Sequence, residues 1–515
     1  MGRVRSRTAC LLIVPVIFCS TLRPRALLNA QQSAIVPAKG AQDAPTNADT
    51  SVSSYEHQTE EILRMLGGMR QELKDSRQEV DDLRKEVNEL REELAASTHS
   101  SADAEALKTA VDQLQDDQQV VQSQVKTLDQ AKVGTESRYS LRLTGMVLFN
   151  SFVVDGAVDD PSLPLIALPR NNQYVHHSLG ASLDQTQLGF NATGPKLWNA
   201  RTSADLTADF FTATNYALTA PSYTADFRLR TAGIDLDWKN TQVSGGLQTP
   251  LITPLSPTSF ATVGQPALSW AGNLWTWLPQ ASVERREALS GSSHALLAFG
   301  LIDPEAAKLP TEQAYGILRQ NLQPGYEGRI AYEWGDERRP YEIGANGYYA
   351  RQLYYGAPPL MNQALDFWAG TADWRVPVAP IAELSGEFYR GRGIGDLGGG
   401  AFKNVVMENG AEYARGLDAA GGWAQLKSRL TPTIELNGFF GEDSAYAGEV
   451  RDQATVANPS PYLYLVRNQS AAANIIFRPK KYLIFAGEYR YLHSWYIYGP
   501  AQEAQTLDLT MGYLF

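Results

Sequence analysis

Few side chains in this sequence are placed to do bond-making chemistry. The histidines, which titrate closest to neutral pH, are His57, His99, His176, His177, His294 and His493. Only the last two fall on predicted strands, and no Ser/Asp pattern marks a nucleophile near them. His176 and His177 are adjacent, so their rings project apart, and no third ligand is evident for a metal. No catalytic residue, metal site or cofactor is expected. The residues with informative spacing are instead charged ones at alternate positions of otherwise amphipathic segments: Arg142, Asp205, Asp209, Arg230, Arg329, Glu333, Glu342, Lys427, Arg429, Arg478, Glu488, Arg490 and Asp508. Charges gathered on one face of a ring of strands line a lumen, where they select solutes by their field. Lys427, Arg429, Arg478 and Arg490 fall on neighbouring late strands and read as a basic wall facing acids elsewhere. Glu284, Arg285, Arg286 and Glu287 are consecutive, so they cannot all face lipid. Arg285 and Arg286 are therefore added to the pore-lining candidates, with a subunit interface as the other place for part of this run.

Such a lumen needs a closed sheet, and the chain supplies the pattern from Tyr139 onward. In Tyr139 to Phe149 the odd positions are Tyr, Leu, Leu, Gly, Val and Phe, and Ser140, Arg142 and Thr144 alternate with them. Comparable segments recur at Asp205 to Phe211, Gln242 to Gln248, His294 to Leu301, Arg329 to Trp334, Tyr341 to Tyr349, Trp423 to Leu430 and Thr433 to Phe440. In the last, Ile434, Leu436 and Phe440 face lipid while Glu435 and Asn437 face inward. Short connectors alternate with long ones such as Asp155 to Ser178 and Asp443 to Asn468. This predicts an all-β transmembrane barrel over 139–515 of about 16 antiparallel strands, with 18 also compatible, at about 10 spanning residues each. A mean hydropathy of -0.28 fits, because each spanning strand shows lipid only every second residue. The chain ends on Leu507, Leu509, Met511, Tyr513 and Phe515 at alternate positions, and Tyr513 and Phe515 form a terminal aromatic signal for the barrel assembly machinery.

One connector stands apart. Thr249 to Val283 carries no charge and holds Pro250, Pro254, Pro257, Pro266 and Pro279. It follows the fifth predicted strand, where a long stiff loop suits folding into the lumen. Trp270, Asn273, Trp275 and Trp277 are its constriction candidates; a surface loop or subunit contact is the competing reading.

The N-terminal quarter belongs to export and assembly. Arg3, Arg5 and Arg7 precede the apolar run Ala9 to Cys19, the layout of a secretory signal, placed at 1–30. Both cysteines, Cys10 and Cys19, fall within it, so the mature chain is expected to lack disulfides and thiolate metal sites. Removing its five arginines takes the net charge from -11 to -16, which excludes nucleic acid as a natural partner. Residues 31–54 read as a disordered linker. Over 55–133, Ile62, Leu66, Met69, Leu73, Ser76, Val80, Leu83, Val87, Leu90 and Leu94, then Leu107, Val111, Leu114, Gln118, Val121, Val125 and Leu128, follow the a/d seam of an α-helical coiled coil. About 75 such residues would reach about 110 Å into the periplasm.

The stretches Phe227 to Gly233, Gly246 to Pro250, Leu278 to Gln280, Asn474 to Phe477 and Glu488 to Tyr491 are similar to those of the DcaP-like trimeric porins of Gram-negative bacteria. That resemblance implies a homotrimer in the outer membrane, in contact with lipid and lipopolysaccharide. It also implies passage of small, mainly anionic molecules such as dicarboxylates, although the uncharged connector departs from it. The functional expectation is a porin, with an envelope tether that holds peptidoglycan through its coiled coil as the alternative, and an outer-membrane enzyme as a third.

Overall fold

The structure, a computed structural model, describes residues 140–515 apart from 171–175, 212–226, 306–308, 337–338, 409–410 and 454–459. The signal, linker and coiled coil read from the sequence lie outside the described residues.

Alternating sequence gives extended backbone throughout. Strands β1 (Leu141–Asp155), β2 (His177–Ser182 and Gln187–Thr193), β3 (Arg201–Asp209), β4 (Arg228–Asp237), β5 (Thr241–Gln248), β6 (Leu278–Ser290), β7 (Ser293–Ile302) and β8 (Leu318–Asn321 and Gly325–Asp336) make the first half. Strands β9 (Arg339–Tyr355), β10 (Gln363–Ala379), β11 (Ala382–Arg392), β12 (Asp418–Arg429), β13 (Ile434–Ala445), β14 (Leu465–Lys480), β15 (Leu483–Tyr496) and β16 (Gln502–Leu514) make the second. Each pairs antiparallel with its neighbour, and β1 pairs with β16 from Met146 opposite Leu514 to Asp155 opposite Gln505, closing the ring. The sheet contains eighteen segments but only sixteen staves, because β2 and β8 are each interrupted once along a shared neighbour. Both candidate strand numbers thus correspond to something real, and the barrel has 16. Closure leaves no sheet edge and satisfies the backbone strand to strand, the condition for a sheet in lipid. Among the described residues no helix is long and apolar enough to cross a membrane.

The two faces differ as the alternation requires. Outward lie Leu143, Val147 and Phe149 of β1, Leu297 and Phe299 of β7, Leu436 and Phe440 of β13, and Leu507, Leu509, Met511 and Tyr513 of β16, all exposed. Inward lie buried Asn150, Glu327, Arg329, Asp373, Glu387, Gln425, Asn437, Asn474 and Glu488. Tight turns such as Trp238–Thr241, where Trp238 N–H donates to the Thr241 carbonyl, close one end. The long connectors gather at the other. There the β1–β2, β5–β6, β11–β12 and β13–β14 connectors share an apolar cluster that includes Ile166, Trp270, Trp275, Phe402 and Val450.

That cluster holds charge under tension. Lys403 is fully buried, and its Nζ donates to the carbonyls of Ala401, Tyr462 and Leu465, joining two connectors. Burial pushes its ammonium down to about 7. Asp159 accepts from Leu165 and Ile166 N–H through Oδ1 and from the Tyr462 hydroxyl through Oδ2. Desolvation among the packed connectors pushes its carboxyl up to about 6. A raised acid stabilises the packed state fully below its ordinary value of 3.8, and this contribution is lost as pH rises through about 6. Asp159→Asn keeps an oxygen for the two backbone donors and removes the charge. It should make the connectors more resistant to protease than the wild type at pH 8 and leave them nearly equal at pH 4; equal resistance at both pH values would refute this reading.

Candidate functional site

The uncharged connector between β5 and β6 enters the barrel and travels round its inner wall. Leu251 N–H donates to Glu327 of β8 at 2.7 Å, and the Ile252 carbonyl accepts from Thr371 of β10 at 2.7 Å and Asn346 of β9 at 3.4 Å. Glu387 of β11 takes Leu255 N–H at 2.8 Å and the Thr253 hydroxyl at 2.9 Å. Thr258 N–H donates to Gln425 of β12 at 2.6 Å, and its carbonyl accepts from Asn474 of β14 at 2.9 Å. Ser259 then bonds Glu488 of β15. Gln185, in the break of β2, accepts from Val263 and Gly264 N–H, and Arg228 and Arg230 of β4 donate to the Gly264 and Val263 carbonyls. The chain from 251 to 264 is therefore a belt pinned in order from β8 round to β4.

Its composition explains its place. A charged residue inside this narrow ring would lose hydration, whereas its backbone amides find ready partners in the wall's carboxylates and carboxamides. Ile252, Thr253, Leu255 and Pro257 are buried against the wall while Pro254 and Ser256 are exposed toward the lumen. Residues 268–272 double back along β14 to β12, where Asn468 donates to the Trp270 carbonyl. Gly272 there has φ +106, and a Cβ would collide with the Gly422 carbonyl of β12, so only glycine fits.

Glu387 is the central pin, since it also lies 3.3 Å from the Trp423 indole nitrogen. Glu387→Ala leaves Leu255 N–H buried without its acceptor, at about 1–3 kcal/mol, while the Thr253 hydroxyl keeps the Leu274 carbonyl at 2.6 Å. Amide exchange at Leu255 should accelerate by at least about tenfold; unchanged protection there would contradict the pin.

The predicted pore-lining residues divide into three groups. Arg286, Lys427, Arg429 and Arg478 face inward between the belt and the short turns, with Arg142 exposed at the second rung of β1, opposite Asn191. Arg286 pairs with Glu333 at 2.9 Å, and Arg478 and Arg429 both approach Glu435, at 3.5 and 3.8 Å. A second group faces inward but is sequestered. Arg329 is buried between Asp373 and Glu342, Arg490 is buried against Glu488, and Glu488 holds the belt. Arg230 shares the fully buried Asp209 with Arg228 and lies 4.4 Å above the Trp277 ring. The third group is Arg285, which stands on the outer face opposite Leu297 and pairs with Glu287. Strict alternation separates it from Arg286, so its assignment to the lumen is corrected.

Three of the four constriction candidates, Trp270, Asn273 and Trp275, are corrected in the same way, while Trp277 is half-buried beneath Arg228 and Arg230, 5.5 and 4.4 Å from its ring. Trp270 stacks on Phe402 at 4.0 Å and Trp275 sits edge-on to Trp277 at 5.4 Å. Trp270, Trp275 and Asn273 are buried, and Asn273 donates to the Ala267 carbonyl to shape the turn. They brace the connectors, while Pro254 and Ser256 present the belt to the lumen. Tyr513 is exposed on the outer face, 5.5 Å from the Tyr482 ring. Phe515 exchanges backbone hydrogen bonds with Gly145 across the seam, at 3.0 and 3.1 Å.

Sequence reasoning missed the β11–β12 connector, which also folds inward. Arg319 of β8 pairs with its buried Asp396 at 2.5 Å, and Asp443 of β13 accepts from Gly400 N–H at 3.0 Å and from Ala401 N–H. The available signal was glycine: Gly393, Gly398 and Gly400 all have positive φ, the turns that let the segment coil on itself.

A closed 16-stranded barrel with one connector belted inside it defines the architectural class. Within that class the chain is similar in structure to the outer membrane channel DcaP of Acinetobacter baumannii, at a TM-score of 0.58 and 14% identity, covering 74% of this chain and 99% of that one. Weaker likenesses are to OprB of Pseudomonas putida (TM-score 0.42, 10% identity, 73% and 94% covered) and to OmpT of Vibrio cholerae (TM-score 0.41, 8% identity, 75% and 100% covered). No protein-family model and no curated protein matches the chain. The DcaP-like resemblance read from the sequence is thus met by the fold.

Proposed function

We propose that this chain is a porin of a Gram-negative outer membrane, a passive diffusion channel for small hydrophilic solutes. The observation that carries the reading is the closed barrel whose outer face is apolar and whose inner face is polar and charged, with a belt fixed inside it. An apolar outer face belongs in lipid, and a polar lumen admits water and solutes. The long-connector end then faces outside and the short turns face the periplasm, where the N-terminal coiled coil would extend. Assembly as a homotrimer and folding by the barrel assembly machinery belong to the same reading; the DcaP-like fold supports the first and the seam at Phe515 the second. Purified protein in liposomes should speed swelling in small sugars and progressively less in larger ones. Swelling no faster than in protein-free liposomes would overturn the proposal.

A further inference from the structure

The periplasmic half of the lumen separates charge by sign. On one side stand Asp205 of β3, Asp235 of β4 and Glu284 of β6, none more than six residues from the short-turn end of its strand. None of the three makes an ion pair among the described residues; Asp235 accepts only from Ser244 at 2.5 Å. On the other side stand Lys427 and Arg429 of β12 and Arg478 of β14, at similar depth. In a ring of sixteen, β4 lies half the circumference from β12, and β6 half the circumference from β14. The walls therefore face each other across the passage.

The balance between them is uneven. Arg429 and Arg478 share one carboxylate, Glu435, and Lys427 stands in register with Glu383. Three cations against two acids leave one positive charge in excess on that wall, opposite three acids. On the acidic side itself Arg286 of β6 is cancelled by Glu333, and the Arg329, Asp373, Glu342 and Arg375 group cancels internally. Between the walls the inward cation Arg142 of β1 is offset by the inward acid Asp508 of β16, and Arg490 by Glu488. A dicarboxylate entering this region meets more negative than positive charge. A solute carrying both an ammonium and a carboxylate can align along the field and satisfy both walls, because low-dielectric walls focus such fields.

We propose that this half of the lumen favours small zwitterionic solutes over dianions, with a modest preference for cations over anions in simple salt. The inference rests on the porin reading. It is tested with the full-length protein in planar bilayers and liposomes. In a potassium chloride gradient the wild-type reversal potential should report potassium as the more permeant ion, by about threefold. Asp235→Asn with Glu284→Gln should push the ratio toward chloride, and Arg429→Gln with Arg478→Gln should push it toward potassium. Liposome swelling in glycine, normalised to arabinose so that pore integrity is read in each variant, should exceed that in sodium succinate and fall in both variants. A conducting pore that prefers chloride, or a glycine ratio unmoved by either pair, overturns this inference and leaves the porin reading standing; no conductance at all overturns the porin reading itself. The wild-type reversal potential needs no variant to fold.

Discussion

Replacing Pro254 to Ala271 with a short Gly/Ser linker is expected to raise single-channel conductance severalfold while the barrel still assembles. The segment removed holds the belt's pins at β11, β12, β14, β15, β2 and β4 and the return past β14. Lifting it from the lumen widens the passage along most of the circumference. The cost to the barrel is limited for a specific reason. Glu387, Gln425, Gln185 and Glu488 lose belt partners, but the space vacated fills with water, so their polar atoms are rehydrated rather than stranded. Strand pairing is untouched, since every stave is bonded to its neighbours independently of the belt. Conductance equal to that of the wild type would show that the belt does not limit the passage.

Removing Phe515 should lower the amount of protein in the membrane several-fold and leave aggregates in the periplasm. Phe515 supplies the last rung of the β1–β16 seam through its two backbone bonds to Gly145. Its ring also packs over Gly145, where a Cβ would come within 2.6 Å of the ring's Cζ. The seam joins the first and last strands, the pairing with the longest loop to close and hence the largest entropic cost in forming the barrel. Weakening its final rung and removing its ring should therefore slow closure. Gly145→Val tests the ring's seat with Phe515 still present, and it too should reduce membrane levels. Normal levels in both variants would separate Phe515 from assembly.

The two faces of the barrel were legible from alternation alone, because a period of two leaves each residue one choice of face once the apolar set is known. Leu436 against Glu435 and Asn437 is the plainest case. Arg285 was misplaced because a run of four charges offers no apolar partner to set its phase; only the register with Leu297 does so. Arg230 shows the opposite accident. A bulge between Thr207 and Ala208 resets the phase of β4, bringing both Arg228 and Arg230 to Asp209. The infolding of the β5–β6 connector could be read because missing charge and many prolines bear on solvation and stiffness directly. Which of its tryptophans faced the lumen could not, since Trp270 and Trp275 are held by Phe402 and Gly398, residues from a connector over a hundred positions away.

The most direct measurement is single-channel recording of the purified wild-type protein in a planar lipid bilayer. A 16-stranded barrel with a fixed belt should insert in discrete current steps of uniform size, each persisting once formed. Membranes that stay silent with folded protein present, or pass only irregular transient currents, would contradict a pore.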